Sequence, residues 1–312
     1  MKHYNIAFVG MGSIGKRHLG NVCQLVKEQG DTCSIDLYRS SLARELPAEI
    51  TALVANQYLC SDDVIKHYDM VFVTNPTSMH KQTIEQFRGH ADAFFIEKPV
   101  FDVVLDDVST FDDVPSYVAC PLRYNPVLQY VKQHIDLSKV ISVRAISSSY
   151  LPDWRPGQDY RQTYSAHADL GGGVDIDLIH EWDYLTWIFG IPTQCLSFVG
   201  TFSNLEIDSN DTALYIAKND KMTFELHLDY FGRKTQRTLD IFTHDDTIQC
   251  DLIAGTISYL KEGKTINQNA ERNAYQIAEI MHFFDIAEGR IENDSNVEHG
   301  MKVLKLTQSK IN

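Results

Sequence analysis

Short apolar runs and helical stretches alternate through the first third of the chain. Tyr4–Val9 reads as a strand and Ile14–Glu28 as a helix. Further strand-length runs follow at Ser34–Tyr38, Gln57–Cys60, Met70–Thr74, Ala93–Ile96 and Ser116–Cys120, with a helical pattern over Thr77–Phe87. The runs MVFVT and AFFI are nearly all apolar, as strands covered on both faces must be. Alternation of this kind predicts a parallel sheet with helices on either side. The pattern changes near Pro121. Asn125–His134 reads as a helix, Val140–Tyr150 as a strand, residues 151–169 as a long ordered loop, and Gly171–Phe189 as helical after its glycines. From Asp211 to Leu260 come strand-length segments with turn candidates at Lys218-Asn219-Asp220, Gly232-Arg233 and His244-Asp245-Asp246. Helices over Glu271–Glu288 and Val297–Gln308 end the chain. The expected architecture is an α/β Rossmann domain over residues 1–121, followed by an α+β domain over residues 122–312 with a large, mostly antiparallel sheet.

Composition narrows the function more than the fold. The chain has 312 residues and a formal net charge of −14. An acidic surface repels nucleic acid and anionic lipid, so neither is an expected partner. No apolar run approaches the length of a membrane span, and no signal peptide is visible. The 6 cysteines are widely and irregularly spaced, which fits neither a zinc site nor a disulfide framework. The expectation is a cytoplasmic protein with reduced thiols and no bound metal.

The first chemical motif is Gly10-Met11-Gly12-Ser13-Ile14-Gly15, between a predicted strand and a predicted helix. That is the context of a dinucleotide-binding loop. Gly10 permits the tight turn, Gly12 lets the backbone approach a pyrophosphate, and Gly15 lets helix and strand pack closely. The helix start, with Ser13 and Ile14, supplies free N–H groups. A purely structural turn is the alternative. The second strand ends Leu37-Tyr38-Arg39-Ser40, and Arg39 with Ser40 suits a 2′-phosphate, which favours NADP over NAD. Asp36 is the complication, being near the spacing of a ribose-binding acid. An exposed Arg beside a loop is the plain alternative. Thr74-Asn75-Pro76 ends the fourth strand at the sheet edge where ligands bind, and His80 follows on the next helix. Thr77 as a helix cap explains that segment equally well.

The chemistry-bearing candidates come next. Glu97-Lys98-Pro99 follows the fifth strand. A lysine there, partly buried and near an oxidised nicotinamide, has its pKa lowered and can exchange a proton with a substrate hydroxyl; a salt bridge to Glu97 is the alternative. In the run Gly171-Gly172-Gly173 to Tyr184, Asp177, His180 and Asp183 are spaced to share roughly one helix face, which makes His180 a candidate acid/base oriented by Asp177, with Asp175 as rival. A satisfied core histidine is the bland reading. Trp154, Tyr160 and Tyr164 in the preceding loop offer flat faces for sugar C–H surfaces, and Arg155 and Arg161 offer polar partners. A packed loop without a ligand fits the same residues.

The Gly-rich loop, VTNP, Glu97-Lys98-Pro99, Leu122-Arg123-Tyr124-Asn125-Pro126 and Gly171–Tyr184 together resemble the Gfo/Idh/MocA (glucose–fructose oxidoreductase / inositol dehydrogenase) family, and more loosely its bacterial surface-sugar members. The resemblance implies an NAD(P)-dependent oxidoreductase with Lys98 near the nicotinamide and a proline that often forms a cis turn. It implies a sugar-like substrate in reach of Arg123, and a homo-oligomer, dimer or tetramer, formed through the open sheet face. Members usually carry Asp four residues before this histidine; here that position is Ile176. A non-catalytic NAD(P)-binding regulator of the same fold, or a reductase of a non-sugar carbonyl, are the competing readings.

Overall fold

The computed structural model describes residues 1–43, 45–268 and 271–309. They form two compact units, Met1–Ala119 with Gln276–Met301, and Cys120–Tyr275 with the residues from Lys302 on.

The first unit is built on strands β1 (His3–Val9), β2 (Thr32–Arg39), β3 (Asn56–Leu59), β4 (Met70–Val73), β5 (Phe94–Ile96) and β6 (Ser116–Val118). They form one sheet in the order β3-β2-β1-β4-β5-β6, with every pairing parallel. This is the Rossmann order, with its crevice at the carboxyl ends of the central strands. Val9, Val73 and Ile96 lie level across β1, β4 and β5, so the residues that follow them share one edge. Helices α1 (Ser13–Glu28), α2 (Ala48–Thr51) and α3 (His80–Phe87) connect the strands. The core includes Phe8, Phe72 and Phe95, stacked in sequence at 4.6 and 4.9 Å between ring centroids.

In the second unit, α4 (Pro126–His134), α5 (Val174–Asp177) and α6 (His180–Phe189) accompany β7 (Val140–Tyr150), β8 (Gln194–Gly200), β9 (Thr212–Lys218), β10 (Thr223–Asp229), β11 (Phe231–Thr243), β12 (Thr247–Asp251), β13 (Thr256–Tyr259) and β14 (Lys264–Asn267). The sheet order is β14-β13-β12-β11-β7-β10-β9-β8. All neighbours are antiparallel except β10 and β7. The chain therefore leaves β10, passes the end of β7 at Tyr230 and returns on its other side as β11. Tyr230 N donates to Asp211 O, and Tyr230 O accepts from Leu151 N at 2.8 Å.

Four expectations change. The chain crosses between the units at Ala119/Cys120, close to the expected boundary, but Gln276–Met301 belongs to the first unit and not to the second. The reason is aromatic packing: helix α7 (Arg272–Ala287) puts Phe283 edge-on to Phe72 and Phe95, and Phe284 edge-on to Tyr4. Helix α8 (Val297–Thr307) follows it. Gly232-Arg233 is no hairpin turn; it lies inside β11, where the pairing with β7 shifts register between Phe231 and Gln236. The helix over Gly171–Phe189 is broken, because Leu178 adopts φ −100° and ψ 20° between α5 and α6. Strands β8 and β14 lie outside the segment where strands were expected.

Candidate active site

The cofactor side of the first unit starts from its glycine loop. Gly10 has φ +93°, and a Cβ there would lie 2.6 Å from Asn75 Cα. Only glycine fits so close to the neighbouring strand end. Gly12 has open space where a side chain would project and caps α1 without any side-chain hydrogen bond. The first turn of α1 thus presents its N–H groups uncapped, as an anion requires. Thr74 Oγ1 donates to Gly10 O at 2.9 Å and ties the loop to β4.

Beside it, Asn75 Nδ2 donates to Thr83 Oγ1 at 2.7 Å, while Asn75 Oδ1 is buried with no hydrogen-bond partner among the described residues. An orphaned buried acceptor is costly and points to a ligand donor. Together with the open space at Gly12, it shows that the residues present fit a nicotinamide dinucleotide. His80 lies on both sides of this turn, with Nε2 3.0 Å from Asn75 O and Nδ1 3.1 Å from Val100 O. Burial pushes its imidazole below the ordinary value. The Lys98-Pro99 peptide is cis.

The sequence reading missed His18. It sits on α1, buried, with Nε2 2.5 Å from Glu97 Oε1. Burial raises the Glu97 carboxyl, but the hydrogen bond and charge of His18 and the charge of Lys98 outweigh it, and Glu97 is held below the ordinary carboxylate range. Lys98 N donates to Glu97 Oε2 at 3.2 Å. The signal was the position: His18 follows Gly15 by one turn of the same helix.

Asp36 and Arg39 occupy different positions at the ribose end of the sheet. Asp36 is fully buried within β2, three residues before its end, and accepts from Asn56 Nδ2 at 2.8 Å, Lys66 Nζ at 2.9 Å and Tyr68 OH at 3.0 Å. It is committed to that network. Arg39 is the last residue of β2 and donates to Gln57 Oε1 at 2.9 Å; Ser40 beyond it is exposed.

In the second unit, the glycines before α5 are dictated by space. A Cβ on Gly172 would stand 2.2 Å from Tyr164 O, and Gly173 has φ +140°. This fold-back brings Asp177 to Tyr230, whose hydroxyl donates to Asp177 Oδ2 at 2.5 Å. Tyr164 keeps 44% of its surface exposed, yet its hydroxyl also bonds Asp177. Trp154 meets Tyr230 edge-on at 5.2 Å and donates from Nε1 to Ser149 Oγ at 2.9 Å. Arg155 lies 5.9 Å over the Tyr164 ring, and Tyr160 OH accepts from Glu206 N. Asp175 accepts from Asn210 Nδ2 at 3.2 Å; burial, with the charge of Asp177 adding, pushes its carboxyl up.

His180 begins α6. Its Nε2 lies 2.9 Å from Arg237 NH2, and Arg237 Nε donates to Glu181 Oε1 at 2.8 Å. Arg237, on β11, was not among the expected site residues. Arg123 was, as a substrate ligand. Its side chain is 1% exposed and bonds Asp183 through both Nε (2.9 Å) and NH2 (2.7 Å). A bidentate buried pair of this kind is a strut between the 121–124 turn and α6.

A parallel Rossmann sheet with an open glycine loop at the start of α1 is the framework of a dinucleotide-binding domain. Residues 4–112 match the family described as "Oxidoreductase family, NAD-binding Rossmann fold" (GFO_IDH_MocA). The uncharacterized oxidoreductase YrbE of Bacillus subtilis (strain 168) is 24% identical over 191 residues, 58% of this chain and 52% of YrbE. The chain thus spans about half the length of that relative. UDP-N-acetylglucosamine 3-dehydrogenase GnnA from Acidithiobacillus ferrooxidans superposes with a TM-score of 0.76 at 20% identity, covering 99% of this chain and 96% of that one. Levoglucosan dehydrogenase in complex with NADH and levoglucosan does so with a TM-score of 0.79 at 15% identity, covering 98% and 96%. At these identities the likeness is one of fold. No described helix is long and apolar enough to cross a membrane.

Proposed function

We propose that the chain is a nicotinamide-dependent dehydrogenase of a sugar or sugar derivative, with Lys98 and His180 handling the proton of the substrate hydroxyl. When bound, the nicotinamide ring supplies the hydride acceptor or donor. Gly12, Ser13, Ile14 and Gly15 hold the pyrophosphate on the start of α1, and Thr74, Asn75, Pro76 and His80 line the nicotinamide end. Lys98 exchanges the proton at Nζ. The flat faces of Trp154, Tyr160 and Tyr164, with Arg155, bind the sugar, as does the Asp177 carboxylate.

The observation that carries this reading is the Glu97-Lys98 pair. It lies on the same sheet edge as the uncapped α1 terminus, with Glu97 locked by His18. GnnA and levoglucosan dehydrogenase, named for sugar substrates, support the substrate class. Lys98→Ala should lower turnover about 10²–10⁴-fold and leave the dissociation constant for NADH or NADPH, read by fluorescence titration, essentially unchanged. Wild-type turnover in that variant removes Lys98 from the chemistry.

The cofactor proposed is NADP in preference to NAD. Asp36 is spent inside the sheet, and Arg39 ends β2 next to an exposed Ser40. A charged hydrogen bond is worth about 1.5–3 kcal/mol, so Arg39→Ala should weaken NADPH about 10–100-fold with little effect on NADH. Equal losses for both, or none, would make NAD the better assignment.

A further inference from the structure

The proton-handling role just proposed treats Lys98 and His180 alike, and the surroundings of His180 separate them. Arg237 NH2 lies 2.9 Å from His180 Nε2, and the same guanidinium donates from Nε to Glu181 Oε1 at 2.8 Å. Glu181 is fully buried, His180 is 14% exposed at its side chain, and Arg237 25%. Arg237 is placed by β11, where it pairs with Ser147 of β7, and its carbonyl accepts from Leu252 N. The cation therefore comes from a strand near the middle of the sheet and is aimed by a carboxylate on the residue next to the histidine.

A guanidinium has five N–H donors, no acceptor, and a pKa above the range of any protein experiment. His180 Nε2 also lies 3.5 Å from Glu181 Oε1, but the guanidinium is the closer partner at 2.9 Å, and toward it Nε2 must supply a lone pair. A neutral histidine has one such nitrogen, so the remaining proton is on Nδ1. We infer that Arg237, aimed by Glu181, is a positioning residue that holds His180 as the neutral, Nδ1-protonated tautomer. This inference rests on the dehydrogenase reading for its consequence: His180 then offers the substrate oxygen an N–H donor, and the proton that leaves or joins the hydroxyl travels on Lys98.

The test reads the tautomer directly and needs no substrate. Two-bond ¹H–¹⁵N correlation spectra of histidine-labelled protein, with His180 assigned through His180→Gln, should show a neutral ring protonated at Nδ1. Arg237→Met with Glu181→Leu removes both charges, because Arg237→Met alone would strand a buried carboxylate. In that double variant His180 should move to the Nε2-protonated form that histidine prefers in water. Arg237→Lys should retain the wild-type tautomer at least in part. In turnover, the double variant should lose about 10–100-fold in kcat, a part of what acid–base groups supply, with KM for the cofactor unmoved. A wild-type His180 protonated at Nε2 or at both nitrogens overturns the inference, as does a tautomer unaffected by the double variant. Failure of Lys98→Ala to slow turnover would instead strike the dehydrogenase reading and leave the spectrum as it is.

Discussion

A carboxylate taken out of water has to be held by a cation or by several donors, and Glu97 and Glu181 are each held from another element of the fold. Glu97 is clamped by His18, and Glu181 by Arg237. Both carboxyls stay below the ordinary glutamate value of 4.5 although burial opposes it. A carboxyl with a lowered folded-state pKa contributes stability that is fully present above its unfolded value and lost as pH falls through the folded one. Urea midpoints should accordingly hold level down to about pH 5 and fall below it, and Glu181→Gln should flatten part of that fall. Breaking a buried pair by removing one partner costs about 3–5 kcal/mol. His18→Ala should therefore lower the unfolding free energy by an amount at or below the bottom of that range, since Glu97 keeps the charge of Lys98. Single residues were unevenly legible in the sequence. The glycine loop and Glu97-Lys98 announce themselves through local context. Arg123 misleads because its partner Asp183 is 60 positions away, and a cation reads as available until its counter-ion is located. His18 and Arg237 were passed over for the same reason.

At the level of elements, periodicity located the parallel strands well, because nearly continuous apolar runs have few other uses in a covered sheet. It fused α5 and α6 into one helix, since the break at Leu178 has no proline or glycine to mark it. The three glycines upstream are explained only by the approach of Gly172 to the Tyr164 carbonyl. A methyl group there meets backbone, so Gly172→Ala should destabilise the second unit by about 1–3 kcal/mol. The check is a shift of the thermal midpoint with the binding of NADH or NADPH to the first unit preserved. An unchanged midpoint would mean that the loop yields. Strand β8 escaped notice because its outward positions are as apolar as its inward ones, which blurs the alternation that marks a half-buried strand.

Across the whole molecule, the apolar outer face of β8 and β9 stands out. Leu196 is paired across strands with Ile216, and Phe198 with Leu214. These four side chains are exposed, Ile216 at 68%, with Phe202 near Phe198 at 62%. A contiguous patch of this kind marks an association surface, and we propose that it meets a second copy of the chain. Phe198→Glu with Ile216→Lys should leave melting of the separated protomer nearly unchanged and shift sedimentation to the monomer. A wild-type protein that already sediments as a monomer at micromolar concentration would refute the proposal. The return of Gln276–Met301 to the first unit was invisible in the sequence for a global reason. A helix is assigned to the domain it follows until its aromatic face is seen to pack elsewhere.

The passage from β10 to β11 has a single residue, Tyr230, to carry the chain past the end of β7, and that residue also bonds Asp177. Tyr230 itself has no slack; the irregular pairing that follows, between Phe231 and Gln236, is where β11 takes up extra residues. An extra alanine before Tyr230 would turn the phenol away from its carboxylate, whereas one within residues 232–235 would be absorbed there and leave Arg237 in register. This one-residue arch fixes where the Tyr230 phenol meets Asp177, and the tolerance for insertion lies in the residues that follow it.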